Sequence, residues 1–223
     1  MVRGWRSGSA WSGAAALLAV VAAAVLGGCD MLAGGRMSQK AQYTFDKGRR
    51  VLVLVELRDG VAPPPAFATN LGDQIGGQLW LNKAVDVPPV PQDRLINLQQ
   101  ANPEAYKQMG VADIAKAAGA DVVLRVYVTQ LLTATTADGN VAEGNAEAFL
   151  KVIDSQGTRL WPGDMAGTRL TAHVDMGLLT DRSLADIVKK LSEQLTEDTD
   201  HMFHEYTPAR HNMPSTTTLR RLK

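Results

Sequence analysis

Two histidines, His201 and His204, lie three positions apart in Asp198-Thr199-Asp200-His201-Met202-Phe203-His204-Glu205. In a helix this spacing puts both imidazoles on one side, where a pair can ligate a transition metal such as zinc. They are the candidate metal ligands, although a solvated polar helix end has the same composition. His173 falls in an alternating segment and reads first as a surface or hydrogen-bonded residue, second as a base. Asp138, Glu143 and Glu147 surround a turn, which fits a calcium loop and equally a solvated hairpin tip. No G-x-S-x-G, S-x-x-K, P-loop or H-E-x-x-H occurs in the chain. No catalytic residue is assigned on these patterns, and no cofactor is expected. Cys29 is the single cysteine, so an intrachain disulfide is excluded.

What precedes Cys29 decides its chemistry. Arg3 and Arg6 form a positive start, and residues 14–26 are an uncharged run of Ala, Val and Leu. That run suits a signal-peptide core and falls short of the ~20 residues that span a bilayer. It ends in Leu26-Gly27-Gly28-Cys29, small residues with the cysteine directly behind them. This resembles the lipobox of bacterial lipoproteins. The resemblance implies cleavage before Cys29, diacylglycerol on its sulfur and acylation of the new amino terminus, with palmitate among the chains. Several acyl chains on one residue anchor firmly, where one alone would be marginal. Residues 1–28 are then a signal peptide and 29–49 a lipidated, flexible tether. The protein is expected in the cell envelope, on the inner or outer membrane, with its domain facing the periplasm. Asp30 resembles an inner-membrane retention signal of some enteric lipoproteins.

The chain carries 23 basic and 23 acidic residues. A balance this even does not recruit nucleic acid.

The elements that must position any site are legible from periodicity. In 111–131, Val111, Ile114, Ala115 and Ala118 recur at helical spacing, and Gly119 stands where a left-handed cap ends a helix. The period then becomes two, with Val122, Leu124, Val126 and Val128 on one side and Val123, Arg125, Tyr127 and Thr129 on the other. Whether a helix covers the second side stays open. Residues 51–55 are continuously apolar and fit a strand buried on both faces. Phe67, Leu71, Ile75 and Leu79 mark an amphipathic helix, with Gly72 and Gly76 on a side that could approach a sheet. Residues 85–87 read as a short strand before Pro88 and Pro89. Helices are expected over 92–100 and from Asn102-Pro103 onward. A turn at 137–140 joins a strand over 122–132 to one over 146–153, and 154–157 turns back to 158–161. Pro162-Gly163 interrupts this last strand before 169–174 resumes it. From Leu184 a long amphipathic helix runs to about Tyr206, and residues 207–223 read as a disordered tail.

The fold class is therefore α/β (α+β): a mixed sheet with an antiparallel meander, packed by amphipathic helices that include a long C-terminal one. The domain is expected over 50–206. Within this order of elements stand Ile114, Ala115, Gly119, Ala120 and Asp121, followed by Asp154, Gly157 and Trp161. The pattern is similar to the domain shared by curli-secretion lipoproteins, penicillin-binding-protein activator lipoproteins and the amino-terminal domain of TolB. The resemblance implies a protein that works by binding or assembling. No strand pair looks long enough, with lipid-facing alternation, to insert into a membrane as curli channels do.

The function read from this is a membrane-anchored envelope lipoprotein that binds another envelope protein in assembly or secretion, and is not an enzyme. The alternatives are a lipid-anchored hydrolase and an oligomeric component of a transport or secretion complex. The partners expected are the membrane through Cys29 and another envelope protein, with a homo-oligomer also compatible. On the core face of the strand over 122–132, Val126→Asp would bury an unpaired charge. We expect that variant to lose several kcal/mol of stability, read as a large fall in melting temperature; an unchanged midpoint would mean the strand faces are reversed.

Overall fold

Four apolar residues in succession, Val51, Leu52, Val53 and Leu54, are all buried at the start of strand β1 (Val51–Leu57). A strand can hide consecutive side chains only when both faces of its sheet are covered. The two covers are different. Val51 and Val53 join one core with helix α1 (Phe67–Leu81), while Leu52 and Leu54 join a second core with Ile114, Ala115 and Ala118. Each such Val or Leu contributes about 1.5–3 kcal/mol on burial. This is the computed structural model of the chain, and it describes residues 38–135, 141–178 and 184–207. The chain divides into Lys40–Tyr206 and a second unit, Met1–Gln39 with Thr207–Lys223, nearly all of which lies outside the described residues.

After α1 come helices α2 (Asp93–Ala101), α3 (Pro103–Gln108) and α4 (Val111–Ala118). Asn102 caps α3 by accepting the Ala105 N–H at 3.0 Å, and Gly119 closes α4 at φ 74°. Strand β2 (Val122–Thr135) runs parallel to β1, and β3 (Val141–Asp154) returns antiparallel to it. β4 (Arg159–Trp161) and β5 (Thr168–Leu178) lie one after the other along the free side of β3, so together they act as one interrupted edge strand. The expected interruption at Pro162-Gly163 is the break between them. Helix α5 (Leu184–His201) then packs Ile187, Leu191 and Leu195 into the α1 side of the core. The mixed sheet, its meander and its C-terminal helix match the fold class read from the sequence.

Four details differ from expectation. Residues 85–87 are not a strand, for among the described residues no strand pairs with them. The outer edge of β1 is instead satisfied by the Val90 N–H on the Val51 carbonyl and by Gln92 Nε2 on the Val53 carbonyl, 2.8 and 2.7 Å. The β2–β3 hairpin is longer than its apolar stretches, because pairing continues through Thr133, Ala134, Glu143, Gly144 and Asn145. These strands of 14 residues exceed the length expected, but small and polar residues at their far end give no lipid-facing stripe. Helix α5 stops at His201, short of Tyr206. Finally, the segment read as tether is packed from Lys40 onward. Phe45 is buried, and with Tyr43, Trp161 and Phe203 it forms an aromatic cluster with centroids 5.1 to 6.3 Å apart.

Helix α5 approaches the sheet most closely at Gly144 of β3. A Cβ there would collide with Ile187 and come within 2.9 Å of Leu191 Cδ1. Both are core residues of α5 and neither is free to withdraw. We expect Gly144→Val to cost about 1–3 kcal/mol by overpacking, measured as a lower denaturant midpoint with an unchanged slope.

Candidate functional site

Helices α1 and α5 lie side by side over the sheet, and a groove of about 650 Å³ runs between them. Helical spacing builds each wall. From α1 come Asp73, Gln74, Gln78 and, just past its end, Asn82; from α5 come the rows Glu193, Glu197, His201 and Thr196, Asp200. Among the described residues, the lining holds four carboxylates and no lysine or arginine. Gly77 faces open space on the α1 side and keeps the groove clear there.

Its deepest polar group is Asp200, whose side chain is 3% exposed. Asn82 Nδ2 donates to Asp200 Oδ2 from across the groove. His204 Nδ1 lies 3.1 Å from that same oxygen and 3.0 Å from the Asp200 carbonyl. Both are acceptors, so Nδ1 is the donor to them. Burial raises the Asp200 carboxyl above its ordinary value, against the Asn82 hydrogen bond and the charges of His204 and His201. Asp198 is raised too, again chiefly by burial.

A carboxylate that orients an imidazole is half of a general-base arrangement. Of the nearby hydroxyl residues, Thr44 is exposed and shares a depression with Asn82 and His204. Thr196 Oγ1 and Thr199 Oγ1 are buried hydroxyls without a protein hydrogen-bond partner, and neither presents surface to a substrate.

The two candidate metal ligands are close in space but face different neighbours. His201 stacks on Tyr206 at 3.7 Å with rings 7° apart, and its centroid is 5.9 Å from that of His204. Among the described residues no group of three or more His, Cys, Asp and Glu is arranged to hold a metal. His173 is elsewhere, exposed on β5 with Nδ1 2.8 Å from Asn145 Oδ1 and its N–H on Gln194 Oε1. Of the acidic trio, Asp138 lies outside the described residues and Glu143 is exposed. Glu147 is engaged: Arg169 and then Thr129 hydrogen-bond its carboxylate and hold it below the usual range. Cys29 also falls outside the described residues.

The second surface of note is the sheet face opposite the groove. Helices α2 and α4 cover it only around Leu52, Leu54 and Val123. Farther along, Glu56 pairs with Arg125, whose guanidinium lies 5.2 Å over the Tyr127 ring, and Phe149 stands opposite Tyr127 on β3. The question left open by the alternation thus has a divided answer: a helix covers Val123, and Arg125 and Tyr127 lie beyond it.

The residues that carry the family resemblance have structural work. Asp121 Oδ2 accepts the Arg50 N–H at 2.9 Å, which sets β1 level with β2. Asp154 Oδ1 accepts the N–H groups of Gln156 and Thr158, and Gly157 completes that turn at φ 88°. None of them lines the groove. Asn82, Asp73, Glu193 and Glu197, which do, gave no signal in the sequence, since polar residues on exposed helix faces are ordinary.

The raised Asp200 carboxyl makes stability depend on pH. The folded chain holds this proton more tightly than the unfolded chain, whose carboxyl is near 3.8. Its contribution is therefore greatest below that value and is lost as pH rises through the folded one. Asp200→Asn removes the effect. We expect its denaturation midpoint to gain on the wild type as pH rises from about 3 to 7; a constant difference would show that Asp200 titrates normally.

No protein-family model matches the chain, and no curated protein matches it. Solved structures do. A PelC variant dodecamer from Paraburkholderia phytofirmans is 16% identical over 72% of this chain and 94% of its own, with a TM-score of 0.40. The lipoprotein GNA1162 from Neisseria meningitidis is 16% identical over 69% of this chain and 99% of its own, TM-score 0.38. The hypothetical protein CT253 from Chlamydia trachomatis is 13% identical over 70% and 94%, TM-score 0.41.

Proposed function

We propose that this protein is a lipid-anchored component of the bacterial cell envelope that acts by binding another envelope protein, in assembly or secretion. The observation that carries the reading is the position of Cys29, the one cysteine, directly after the apolar run and Leu26-Gly27-Gly28. The packed unit begins at Lys40, eleven positions later. The partner is therefore held at, or integral to, the same membrane, on its periplasmic side. Two surfaces suit contact. One is the uncovered part of the sheet, where Tyr127 and Phe149 supply aromatic area between the Glu56–Arg125 and Glu147–Arg169 pairs. The other is the acidic α1–α5 groove.

A hydrolase is the second reading, and one observation favours it: the Asp200–His204 pair in a groove. Against it stands the burial of the Thr196 and Thr199 hydroxyls, which the α5 side of the pair would otherwise offer. The two readings differ in what histidine removal does. Replacement of His173, His201 and His204 by Ala, singly and together, is expected to leave a deletion strain complemented. A stable, correctly anchored triple variant that fails to complement, yet still captures the wild-type partners after mild cross-linking, would establish chemistry at these histidines. Anchoring is tested separately. Wild type is expected in the detergent phase on phase partition and Cys29→Ser in the aqueous phase; both in the aqueous phase would refute the lipoprotein reading.

A further inference from the structure

Helix α1 ends with two adjacent large apolar side chains in solvent: Trp80 is 53% exposed and Leu81 72%. Single exposed apolar residues are common on soluble proteins, whereas a tryptophan and a leucine together at a helix end call for a reason. Past them the chain turns at Asn82 and Lys83, and Lys83 takes φ 59°, an uncommon conformation for a side chain of its length. Trp80, Leu81, Lys83, Val85 and Asp86 line an apolar hollow of about 480 Å³.

The chain enters the packed unit at this same corner. Lys40, Ala41 and Thr44 share a depression with Asn82, Lys83 and Ala84, and the Gly48 N–H donates to Asp86 Oδ1 at 2.9 Å. Eleven positions separate Lys40 from Cys29. Fully extended, they reach about 40 Å. A domain of this length has a radius of gyration near 15 Å, so a path over its surface to the opposite pole measures roughly 60 Å. An acylated Cys29 therefore cannot enter a bilayer that lies against the pole opposite Lys40, and the shortest path is from the side that bears Lys40.

We propose that Trp80, Leu81 and Lys83 form a membrane-contact patch that orients the domain on its own bilayer; this rests on the lipid-anchor reading of Cys29. The indole and leucine enter the interfacial region, where an amphipathic ring is favoured at head-group level. Lys83 and Lys40, both exposed, meet anionic head groups while their stems stay apolar. Leu81 and Asn82 also line the α1–α5 groove, so this orientation brings one end of that groove to the membrane surface. A protein partner seated on the same patch is the competing occupant.

The test uses the mature, acylated chain reconstituted in vesicles of phosphatidylethanolamine and phosphatidylglycerol. Its tryptophans are Trp80 and Trp161, because Trp5 and Trp11 precede Cys29. The emission difference between wild type and Trp80→Phe isolates Trp80, and Trp80→Phe at an exposed site keeps the fold intact. Replacing the lipids by forms brominated on the acyl chains is expected to quench this difference roughly twofold or more, as for an indole at the boundary of head groups and acyl chains. Leu81→Ser should weaken the quenching while the chain still floats with the vesicles. A chain that floats with Trp80 emission unchanged by bromine overturns the patch and leaves the anchor standing. A chain that does not float overturns the anchor and the patch together.

Discussion

The structure depends on the parallel pairing of β1 with β2, in register from Val51 opposite Val122 to Leu57 opposite Val128. Parallel neighbours cannot be joined by a tight turn, so everything between them must cross over the sheet. Here the crossover is α1 to α4, and it covers both faces. Through Leu71 and Ile75, α1 lies over the paired residues Val53 and Leu124; through Ile114 and Ala115, α4 lies over Leu52 and Val123. Asp121 fixes the level at which the two strands meet. Its carboxylate takes the Arg50 N–H, and the Arg50 carbonyl accepts from the N–H groups of Asp121 and Val122. Ser155 donates back to the Asp121 carbonyl, which ties the far end of the hairpin to the same point.

What the sequence revealed follows from this constraint. A strand buried on both faces has to be continuously apolar, and 51–55 is; a helix covering one face has to repeat at i+4, and Phe67 to Leu79 does. Periodicity failed where the packing is done by few or small groups. The outer ends of β2 and β3 pair through Thr133, Ala134 and Gly144, which carry no apolar alternation. Val85 is buried inside a loop, so its apolar neighbours imitated a strand. Tyr43 and Phe45 are only two aromatic residues in a polar stretch, and their partners Trp161 and Phe203 are more than a hundred positions away. No local window contains that cluster.

The groove was half visible for the same reason. Its α5 wall stands in one segment, so Asp200, His201 and His204 could be singled out by spacing. The α1 wall lies 118 positions earlier, and Asn82 becomes a partner of Asp200 only when the two helices pack. The spacing argument also assumed a helix through His204. Because α5 ends at His201, the two imidazoles stay close but face different neighbours: one stacks on Tyr206 and the other turns back onto Asp200. The helix end thus converts a pattern suited to a shared ligand into a histidine oriented by a carboxylate.

The motif residues and the surface residues divide the labour. Gly119 and Asp121 set a helix end and a strand register, and Asp154 with Gly157 sets a turn; these demands are met by backbone geometry and are indifferent to what the protein binds. A fold held this way leaves its outer surfaces free to differ, which is why element order alone cannot name a partner. If Cys29 carries lipid, position narrows what the domain can bind. A domain whose chain enters beside Lys83 and whose upstream cysteine is eleven positions from Lys40 has little freedom to leave the bilayer, if that cysteine carries lipid. Binding surfaces on such a domain work at a local concentration set by the membrane, so modest contacts suffice for a partner embedded in the same bilayer. Mixed charges paired in place, as in Glu56 with Arg125 and Glu147 with Arg169, fit that regime: they keep the open face soluble while it is unoccupied and give it a defined pattern for a neighbour to match.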